Sequence, residues 1–350
     1  MGQIQVIHES QMQASESVPL VSIGLPVFNG AAYVAEAIES VLSQTMGDLE
    51  LIICDNCSTD ETQSICESYA KLDGRVRYHR NLRNLGAGPN YDLCFHLARG
   101  TYFKWAAHDD KLAPNYLELA TRALDGRPDA VLCTVGIREI DATGDTLRVF
   151  ANQFARAGSE SMARRFGCLI HTRHQCEDFF GLYRREALIG SGLHDNYSGS
   201  DRVLLAEMAL RGPWVSVPEP LFLHREHDKR YTRAVLLVDA KQAALWQDTS
   251  GPAKQRNTMF HWSIYRRYWR LVGKTARSPG ERASCYTQLL LWWLTDGHGS
   301  DVARDIVRTV SPRLFERVRR VKRAVIGASR RVRPGSLPAT AGAPAQPVDG

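Results

Sequence analysis

Strand-like and helix-like segments alternate along the first 140 residues of this 350-residue chain, and this alternation constrains the fold more than any other feature. Four short apolar runs are separated by stretches in which apolar residues recur at helical spacing. The runs lie at residues 21–25, 49–54, 76–78 and 102–107. Such alternation predicts an α/β fold with a mainly parallel sheet flanked by helices. From residue 231 to residue 333 the pattern predicts helices alone, as a C-terminal extension.

Polar side chains occupy the loops that follow the predicted strands. They are Asn29, Asp55, Asn84 and Asp109. Because α/β folds bind ligands at the carboxyl edge of the sheet, we expect these side chains to collect there. Asp110 follows Asp109 directly, and paired carboxylates suit a hard divalent cation that also bridges phosphate oxygens. Taken alone, an Asp-Asp pair is more often a helix start, where Asp caps the helix or fills its first turn.

Two other groups of side chains have the chemistry of metal or redox ligands. The first is Cys54-x-x-Cys57, but the chain has no second Cys-x-x-Cys and Cys54 lies inside a predicted strand. The second comprises His171, His174, Cys176 and Asp178, and its spacing matches no standard zinc pattern. The eight cysteines are too few for a disulfide scaffold. We therefore expect neither group to be a metal or redox site.

The net charge of +6 belongs to one segment near the C-terminus. Residues 313–333 contain nine Arg or Lys and one Glu, and the rest of the chain has 35 basic and 37 acidic residues. Apolar residues recur at helical spacing within this segment, so it predicts a basic amphipathic helix. Such a helix fits an anionic membrane surface. It fits equally well a terminal helix that packs its apolar stripe on the core. Nucleic-acid binding is disfavoured, because no recognised binding motif accompanies the basic stripe.

The remaining segments bear on location and on domain limits. No apolar run approaches the ~18 residues of a membrane-spanning helix, and residues 1–17 lack the basic-then-apolar pattern of a signal peptide. These features predict a cytoplasmic protein, peripheral at the inner face of the membrane if the basic helix binds lipid. We expect disorder at residues 1–17 and 334–350, a catalytic domain at 18–230 and the helical extension at 231–333.

Five motifs now stand in order along the chain. They are Pro26-Val27-Phe28-Asn29-Gly30, Ser40-Val41-Leu42-Ser43-Gln44-Thr45, Ile52-Ile53-Cys54-Asp55-Asn56-Cys57-Ser58-Thr59-Asp60, Asn84-Leu85-Gly86 with Asn90, and His108-Asp109-Asp110 with Pro114. Together they resemble the family 2 glycosyltransferases, whose nucleotide-diphospho-sugar-binding domain has the Rossmann-like GT-A fold. The match is dense over residues 18–114 and sparser to residue 228. Each motif is weak alone, but five in register are a specific signal.

The resemblance implies roles for the motif residues in binding a nucleotide-sugar. Pro26, Phe28, Asn29 and Asn84 would contact it, and Asp55 would accept a hydrogen bond from the base. Asp109 would face the ribose or the metal, and Asp110 would bind Mn²⁺ or Mg²⁺. Two positions within these motifs depart from the family pattern. Asn56 stands where a second Asp is usual, and His108 stands where the first acid of the metal motif is usual.

The resemblance also places catalytic and metal-binding residues in the second half of the domain. Asp201 would take the proton of the acceptor hydroxyl, although Ser200 precedes it where the family commonly has Glu. The alternative for Asp201 is a helix cap, shared with Ser200. Further on, His227 would complete the metal shell, with His224 as the alternate, and Arg225 would neutralise the diphosphate. The Gln-x-x-Arg-Trp motif of processive synthases is absent after Asp201, which favours addition of one sugar per event.

The resemblance therefore implies a metal-dependent inverting glycosyltransferase in the synthesis of cell-envelope or surface glycans or glycolipids. Its partners would be a nucleotide-sugar donor and a sugar, lipid-linked or glycolipid acceptor. A non-catalytic nucleotide-sugar-binding relative remains an alternative, because of His108 and Ser200. A nucleotidyltransferase is a further alternative, but it would normally need a Gly-rich phosphate loop with a Lys after the first strand. An NAD-dependent oxidoreductase would need Gly-x-Gly-x-x-Gly at the same place, and that motif is absent there.

Overall fold

The computed structural model describes residues 18–151, 154, 156–194, 197–228, 259–295 and 297–311. The predictions for residues 1–17, for the basic helix at 313–333 and for the tail at 334–350 lie outside these residues. The strands are β1 (Val21–Val27), β2 (Leu49–Asp55), β3 (Val76–Arg80), β4 (Tyr102–Trp105), β5 (Lys111–Leu112), β6 (Leu132–Ile140), β7 (Thr146–Phe150), β8 (Leu182–Arg184) and β9 (Trp214–Arg225). The helices are α1 (Val34–Leu42), α2 (Thr62–Leu72), α3 (Ala87–Leu97), α4 (Tyr116–Asp125), α5 (Met162–His171), α6 (Arg185–Leu188), α7 (Ser200–Arg211), α8 (Phe260–Thr275), α9 (Pro279–Leu294) and α10 (His298–Val310).

The described strands form one mixed sheet in the order β3-β2-β1-β4-β8-β6-β9-β5, with β7 paired to β6. The four strands predicted from the sequence pair in parallel, with β1 between β2 and β4. Antiparallel pairing enters through β8, which lies between β4 and β6. The predicted α/β fold with a helical C-terminal region is confirmed. The ends of β1, β2 and β4 meet at one edge of the sheet, as parallel pairing requires.

Two apolar clusters cover the two faces of the sheet. Successive strand residues point to opposite faces, so Ile52 and Cys54 enter one cluster while Leu51 and Ile53 enter the other. Helices α1 and α4 cover the second face. The first face is covered by α3, α5, α7, α8 and α9, and the buried residues of α8 and α9 join the same cluster: Ile264, Tyr268, Val272, Cys285, Leu289 and Trp292. Helices α8 and α9 are therefore an integral part of the core on that face.

One strand residue is an ionisable group inside an apolar cluster. The Lys104 side chain is fully buried in β4, where its ammonium donates to the backbone oxygen of Phe180. Its Nζ lies 4.4 Å from the centroid of the Tyr116 ring and 5.3 Å from that of Phe222. Burial lowers the pKa of Lys104 to about 7, although the charge of Asp110 opposes the shift. Folding therefore shifts Lys104 toward the neutral amine.

Lys104 gives the stability of the protein a dependence on pH. The pKa of Lys104 falls from 10.5 to about 7 on folding, so between these values the unfolded chain holds a proton that the folded protein lacks. The contribution of Lys104 to the free energy of unfolding should rise with pH in this window by about 1.4 kcal/mol per pH unit. Below the window, the full cost of burying the charged amine should be present. Lys104→Met should remove this slope in urea unfolding, whereas Lys71→Met, at an exposed position, should keep it. An equal slope in Lys104→Met and the wild type would contradict the assignment.

Candidate active site

The loops after β1 and β2 are joined by side-chain to backbone hydrogen bonds. Asn29 has a positive φ of 52° and donates its backbone N–H to Ser58 Oγ at 2.9 Å. Its side-chain oxygen accepts from the N–H of Thr59 at 2.8 Å. Gly30 packs against the third loop of the site, because a Cβ there would lie 2.5 Å from the His108 ring. Of the residues predicted to contact the nucleotide here, Phe28 and Asn29 are exposed, whereas Pro26 is buried within β1.

Ser58-Thr59-Asp60-Glu61 has the sequence of a capping box, but the box does not form. Helix α2 begins at Thr62 and has no side-chain cap at its preceding residue. Ser58 instead bonds to Asn29 through its hydroxyl and to Asp55 through its backbone N–H. Asp60, not Ser58, bonds to the first N–H of the helix: it accepts from the N–H of Thr62 at 3.1 Å. The residues that would start a helix are therefore used to close the loop at the sheet edge.

The carboxylate of Asp55, predicted to accept a hydrogen bond from the nucleotide base, is fully buried. Its oxygens accept from the hydroxyl of Tyr78 at 2.7 Å and from the N–H of Ser58 at 2.8 Å. Arg80 Nε lies 3.4 Å away. In this structure Asp55 therefore braces β3 and the loop, and a base would meet it only if the loop opened.

Four asparagines form an amide network behind this loop. Asn56 donates to Asn84 Oδ1 and to the backbone oxygen of Gly86, both at 3.0 Å. Asn81 donates to Asn56 at 3.1 Å and to Asn90 at 2.8 Å. An aspartate at position 56 would set a carboxylate against two acceptors, which explains why Asn serves here. Sequence reasoning missed Asn81, although four asparagines within 35 residues are a usable signal of such a network.

The two carboxylates of the Asp-Asp pair after β4 lie in different environments. Asp109 Oδ2 lies 2.9 Å from His227 Nε2, and both side chains reach the surface, with 15% and 10% exposure. Burial would raise the pKa of Asp109, but the neighbouring His108 and the hydrogen bond with His227 outweigh it and lower that pKa. Asp110 is buried, and its Oδ1 accepts from the backbone N–H of Arg225 at 2.8 Å. His224 Nδ1 lies 3.5 Å from the same oxygen.

The side chain of Arg225, which was predicted to neutralise the diphosphate, is fully buried. Its Nε donates to the backbone oxygen of Asp109 at 2.9 Å, and one terminal nitrogen donates to Glu36 at 2.8 Å. The other terminal nitrogen donates to the backbone oxygen of Ala142 at 2.9 Å. The guanidinium also lies 4.6 Å from the ring centroid of Tyr33. Arg225 therefore holds the Asp109 loop against the rest of the domain.

Asp201 lies in the first turn of α7, as predicted. The N-cap is Gly199, with a positive φ of 84°, and it offers no side-chain cap. Asp201 Oδ1 accepts from the N–H of Arg202 at 2.7 Å. Its side chain therefore bonds to one N–H at the start of the helix, as the capping alternative supposes, although Asp201 is not the N-cap. Ser200 Oγ instead lies 3.3 Å from His194 Nδ1.

Tyr91 connects the two acidic groups. Its pKa is raised by burial and then by the charges of Asp109, Asp110 and Asp201, so all three carboxylates act on one phenol. His194 stacks on the Tyr91 ring with centroids 4.6 Å apart. The predicted metal motif and the predicted base therefore both lie close enough to Tyr91 for their charges to act on it.

The second possible metal cluster does not form. His174 contacts Arg202. The two terminal nitrogens of Arg202 lie 3.0 Å from His174 Nε2 and 2.7 Å from the backbone oxygen of His174. Burial and then Arg202 lower the pKa of His174 to about 3, so its ring is neutral. Cys176 is buried as a free thiol. Within the part of the chain that the structure describes, no group of three or more His, Cys, Asp or Glu is arranged to hold a metal.

Comparison with known proteins decides the family. Residues 22–190 match the family described as Glycosyl transferase family 2. An uncharacterized glycosyltransferase of Rickettsia typhi is 33% identical over 241 residues, which cover 67% of this chain and 73% of that protein. The chain belongs to glycosyl transferase family 2. It is therefore a glycosyltransferase, and the expectation from its five motifs is confirmed at this level.

Other known proteins match a shorter part of the chain or match at lower identity. Chondroitin synthase of Escherichia coli is 37% identical over 132 residues, which cover 37% of this chain and only 19% of that protein. TarS 1–349 of S. aureus, solved in complex with UDP-GlcNAc, superposes with a TM-score of 0.58 at 15% identity, over 79% of this chain and 74% of that chain. At that identity the similarity shows the fold, which agrees with the GT-A expectation. None of the described helices has the length and apolar character needed to cross a membrane.

Proposed function

We propose that this glycosyltransferase is metal-dependent and inverting, and that it moves one sugar from a nucleotide-diphospho-sugar to an acceptor hydroxyl. The observation that supports the proposal is that Tyr91 feels the charges of both Asp109 and Asp201 and stacks on His194, whose Nδ1 lies 3.3 Å from Ser200 Oγ, next to Asp201 in the chain. A donor in this position would have its diphosphate near one carboxylate and its anomeric carbon toward the other. The TarS structure solved with UDP-GlcNAc supports a donor of the same chemical class.

Asp109 and His227 are the residues that would hold Mn²⁺ or Mg²⁺. Their facing atoms lie 2.9 Å apart and both side chains are partly exposed, so one ion can reach both. The carboxylate suits either cation, and such ions normally complete their shell with substrate phosphates and water. The sequence assigned the metal to Asp110. The burial of Asp110 and its bond to Arg225 favour Asp109 instead.

The reaction is a displacement at the anomeric carbon. Asp201 takes the proton of the acceptor hydroxyl as its oxygen attacks, and the bond to the nucleoside diphosphate breaks on the opposite face. A divalent ion, when bound, neutralises the negative charge that develops on the leaving diphosphate. Arg225 acts indirectly, by fixing the backbone of Asp109 and the carboxylate of Asp110.

The proposal also covers the acceptor and the location of the enzyme. A sugar, lipid-linked or glycolipid acceptor in cell-envelope or surface glycan synthesis fits an enzyme that adds one sugar per event. A cytoplasmic enzyme that binds the inner face of the membrane through residues 313–333 fits the same role. Liposome sedimentation with and without this segment tests the membrane part separately.

Chelation tests the metal part of the proposal. We expect EDTA to abolish transfer or donor hydrolysis and added Mn²⁺ or Mg²⁺ to restore it, because the leaving diphosphate would lose its counter-charge. The measurement is release of nucleoside diphosphate from each of a panel of nucleotide-sugars. Turnover that is indifferent to EDTA would rule out the metal role.

A thermal-shift screen of the same panel with Mn²⁺ identifies the donor, since a cognate ligand stabilises the fold by mass action. UDP-sugars are the first candidates. A donor that stabilises the protein but is never turned over would favour the non-catalytic alternative.

A further inference from the structure

A basic cavity lies between α7 and α8, away from the donor motifs. Its volume is about 220 Å³, and we call it the α7–α8 cavity. Its lining includes Tyr197, Val203, Leu204 and Glu207 from the segment around α7, and Arg267, Arg270, Leu271 and Lys274 from α8. None of the loops after β1, β2, β3 and β4 contributes to the lining. The α7–α8 cavity is therefore distinct from the proposed nucleotide-sugar and metal sites.

Three cations share the face of α8 that lines this cavity. Arg267, Arg270 and Lys274 are spaced by three and four residues, so they are neighbours on one face of the helix. Like charges at this spacing destabilise a helix. Such a cluster is explained most simply by an anion that binds between them.

The carboxylate in the lining does not neutralise these cations. Glu207 is buried, and its Oε1 accepts from Arg211 at 2.6 Å and 3.2 Å. Its Oε2 accepts from the backbone N–H of Gly192 at 3.1 Å. Arg211 therefore balances Glu207, and Glu207 does not neutralise Arg270 or Lys274.

The cations are held in different ways around the opening. The Arg267 guanidinium lies 3.4 Å from the ring centroid of Tyr197. Lys274 Nζ donates one hydrogen bond to the backbone oxygen of Gly190 at 2.8 Å and keeps two donors. Arg270 is exposed and makes no hydrogen bond or ion pair with any residue that the structure describes. The cavity thus offers a set of donors that are partly preorganised.

The position of the cavity connects it to the acceptor side of the reaction. Tyr197 precedes the proposed base Asp201 by four residues, and Val203 and Leu204 follow Asp201 on the same helix. The cavity therefore lies beside the first turns of the helix that carries the proposed base. Arginine and lysine are the side chains that bind phosphate oxygens with charge-assisted hydrogen bonds.

We propose that the α7–α8 cavity binds a phosphate or diphosphate group carried by the acceptor, with Arg270 and Lys274 as its principal donors. This rests on the proposed sugar transfer and names a chemical class for the acceptor. The group is either the head of a lipid-linked sugar or part of a free sugar phosphate.

Pyrophosphate is the probe for the shared chemistry, used with the full chain in EDTA at fixed ionic strength. The double variant Arg270→Gln/Lys274→Gln should bind it about tenfold more weakly or worse, since each lost contact is a charge-assisted hydrogen bond. Arg266→Gln is the matched control, because it removes the same charge from an exposed position on α8 outside the cavity. It should bind pyrophosphate as the wild type does. Arginine-specific modification by phenylglyoxal, read by mass spectrometry, should show that pyrophosphate protects Arg270.

Vesicles distinguish the two sources of phosphate. Wild-type and variant proteins are sedimented with phosphatidylcholine vesicles that contain phosphatidic acid. A loss of sedimentation in Arg270→Gln/Lys274→Gln but not in Arg266→Gln supports a lipid-borne phosphate. Weaker pyrophosphate binding without a change in sedimentation supports a free sugar phosphate.

The proposal is overturned if the wild type, the double variant and Arg266→Gln bind pyrophosphate equally, or if pyrophosphate leaves Arg270 unprotected. Thermal stabilisation by the donor is measured on the same proteins and should be equal in all of them. A wild type that no nucleotide-sugar stabilises or serves would instead count against the proposed function. The single variant Arg270→Gln, at an exposed position, covers the case in which the double variant folds poorly.

Discussion

Asp201→Asn should abolish sugar transfer while nucleotide-sugar binding survives. Asparagine has the shape of aspartate and can still accept from the N–H of Arg202, so the start of α7 should be preserved. It cannot take a proton, and loss of a general base typically costs about 10²- to 10⁴-fold in turnover. The measurement is the transfer rate at saturating donor, with donor affinity followed in parallel by thermal shift.

A matched variant separates catalysis from a general change of charge. Asp73→Asn removes a carboxylate that pairs with Arg75 at 2.8 Å just beyond the end of α2, away from the site. Its turnover should equal that of the wild type. Near-normal turnover in Asp201→Asn would show that another group takes the proton, and the capping alternative for Asp201 would then be preferred.

The fold was predictable wherever one face of an element is apolar and regular. Strands β1, β2 and β4 are buried on both faces and were recognised as apolar runs. No strand or helix was predicted between residues 141 and 176, for two physical reasons. Strand β7 is mostly exposed and so has no buried face to reveal. Helix α5 buries Arg165, whose guanidinium bonds to three backbone oxygens and interrupts the apolar periodicity.

The sequence predicted which loops form the candidate site, but not which side chains contact one another there. The order of polar motifs located the carboxyl edge, because parallel strands must end there. The inward turn of Arg225 depends on Glu36, on Asp109 and on Ala142, which are more than 80 residues away in the chain. The burial of Asp55 likewise depends on Tyr78 in β3. Spacing along a sequence carries no record of such long-range partners.

Contacts between residues far apart in the chain also give Asp109 and Asp110 different roles in the proposal. Two isosteric variants test this assignment. Asp109→Asn should weaken Mn²⁺ binding by at least about 100-fold, since even the loss of an indirect partner of a metal ligand can cost that much. Turnover should fall by about 10²-fold or more, because a bound ion contributes several kcal/mol to stabilising the leaving charge. The measurements are Mn²⁺ affinity by electron paramagnetic resonance with nucleoside diphosphate present, and the transfer rate.

Asp110→Asn is the matched control for this experiment. An asparagine at position 110 can still accept from the N–H of Arg225, so the Asp109 loop should keep its position. Mn²⁺ affinity should then change much less than in Asp109→Asn. If Asp110→Asn instead lost the ion and Asp109→Asn kept it, the assignment from sequence would be restored. The carboxylate of Asp110 would then have to exchange its bond to Arg225 for the metal, and the loop that Arg225 holds would have to move when donor binds.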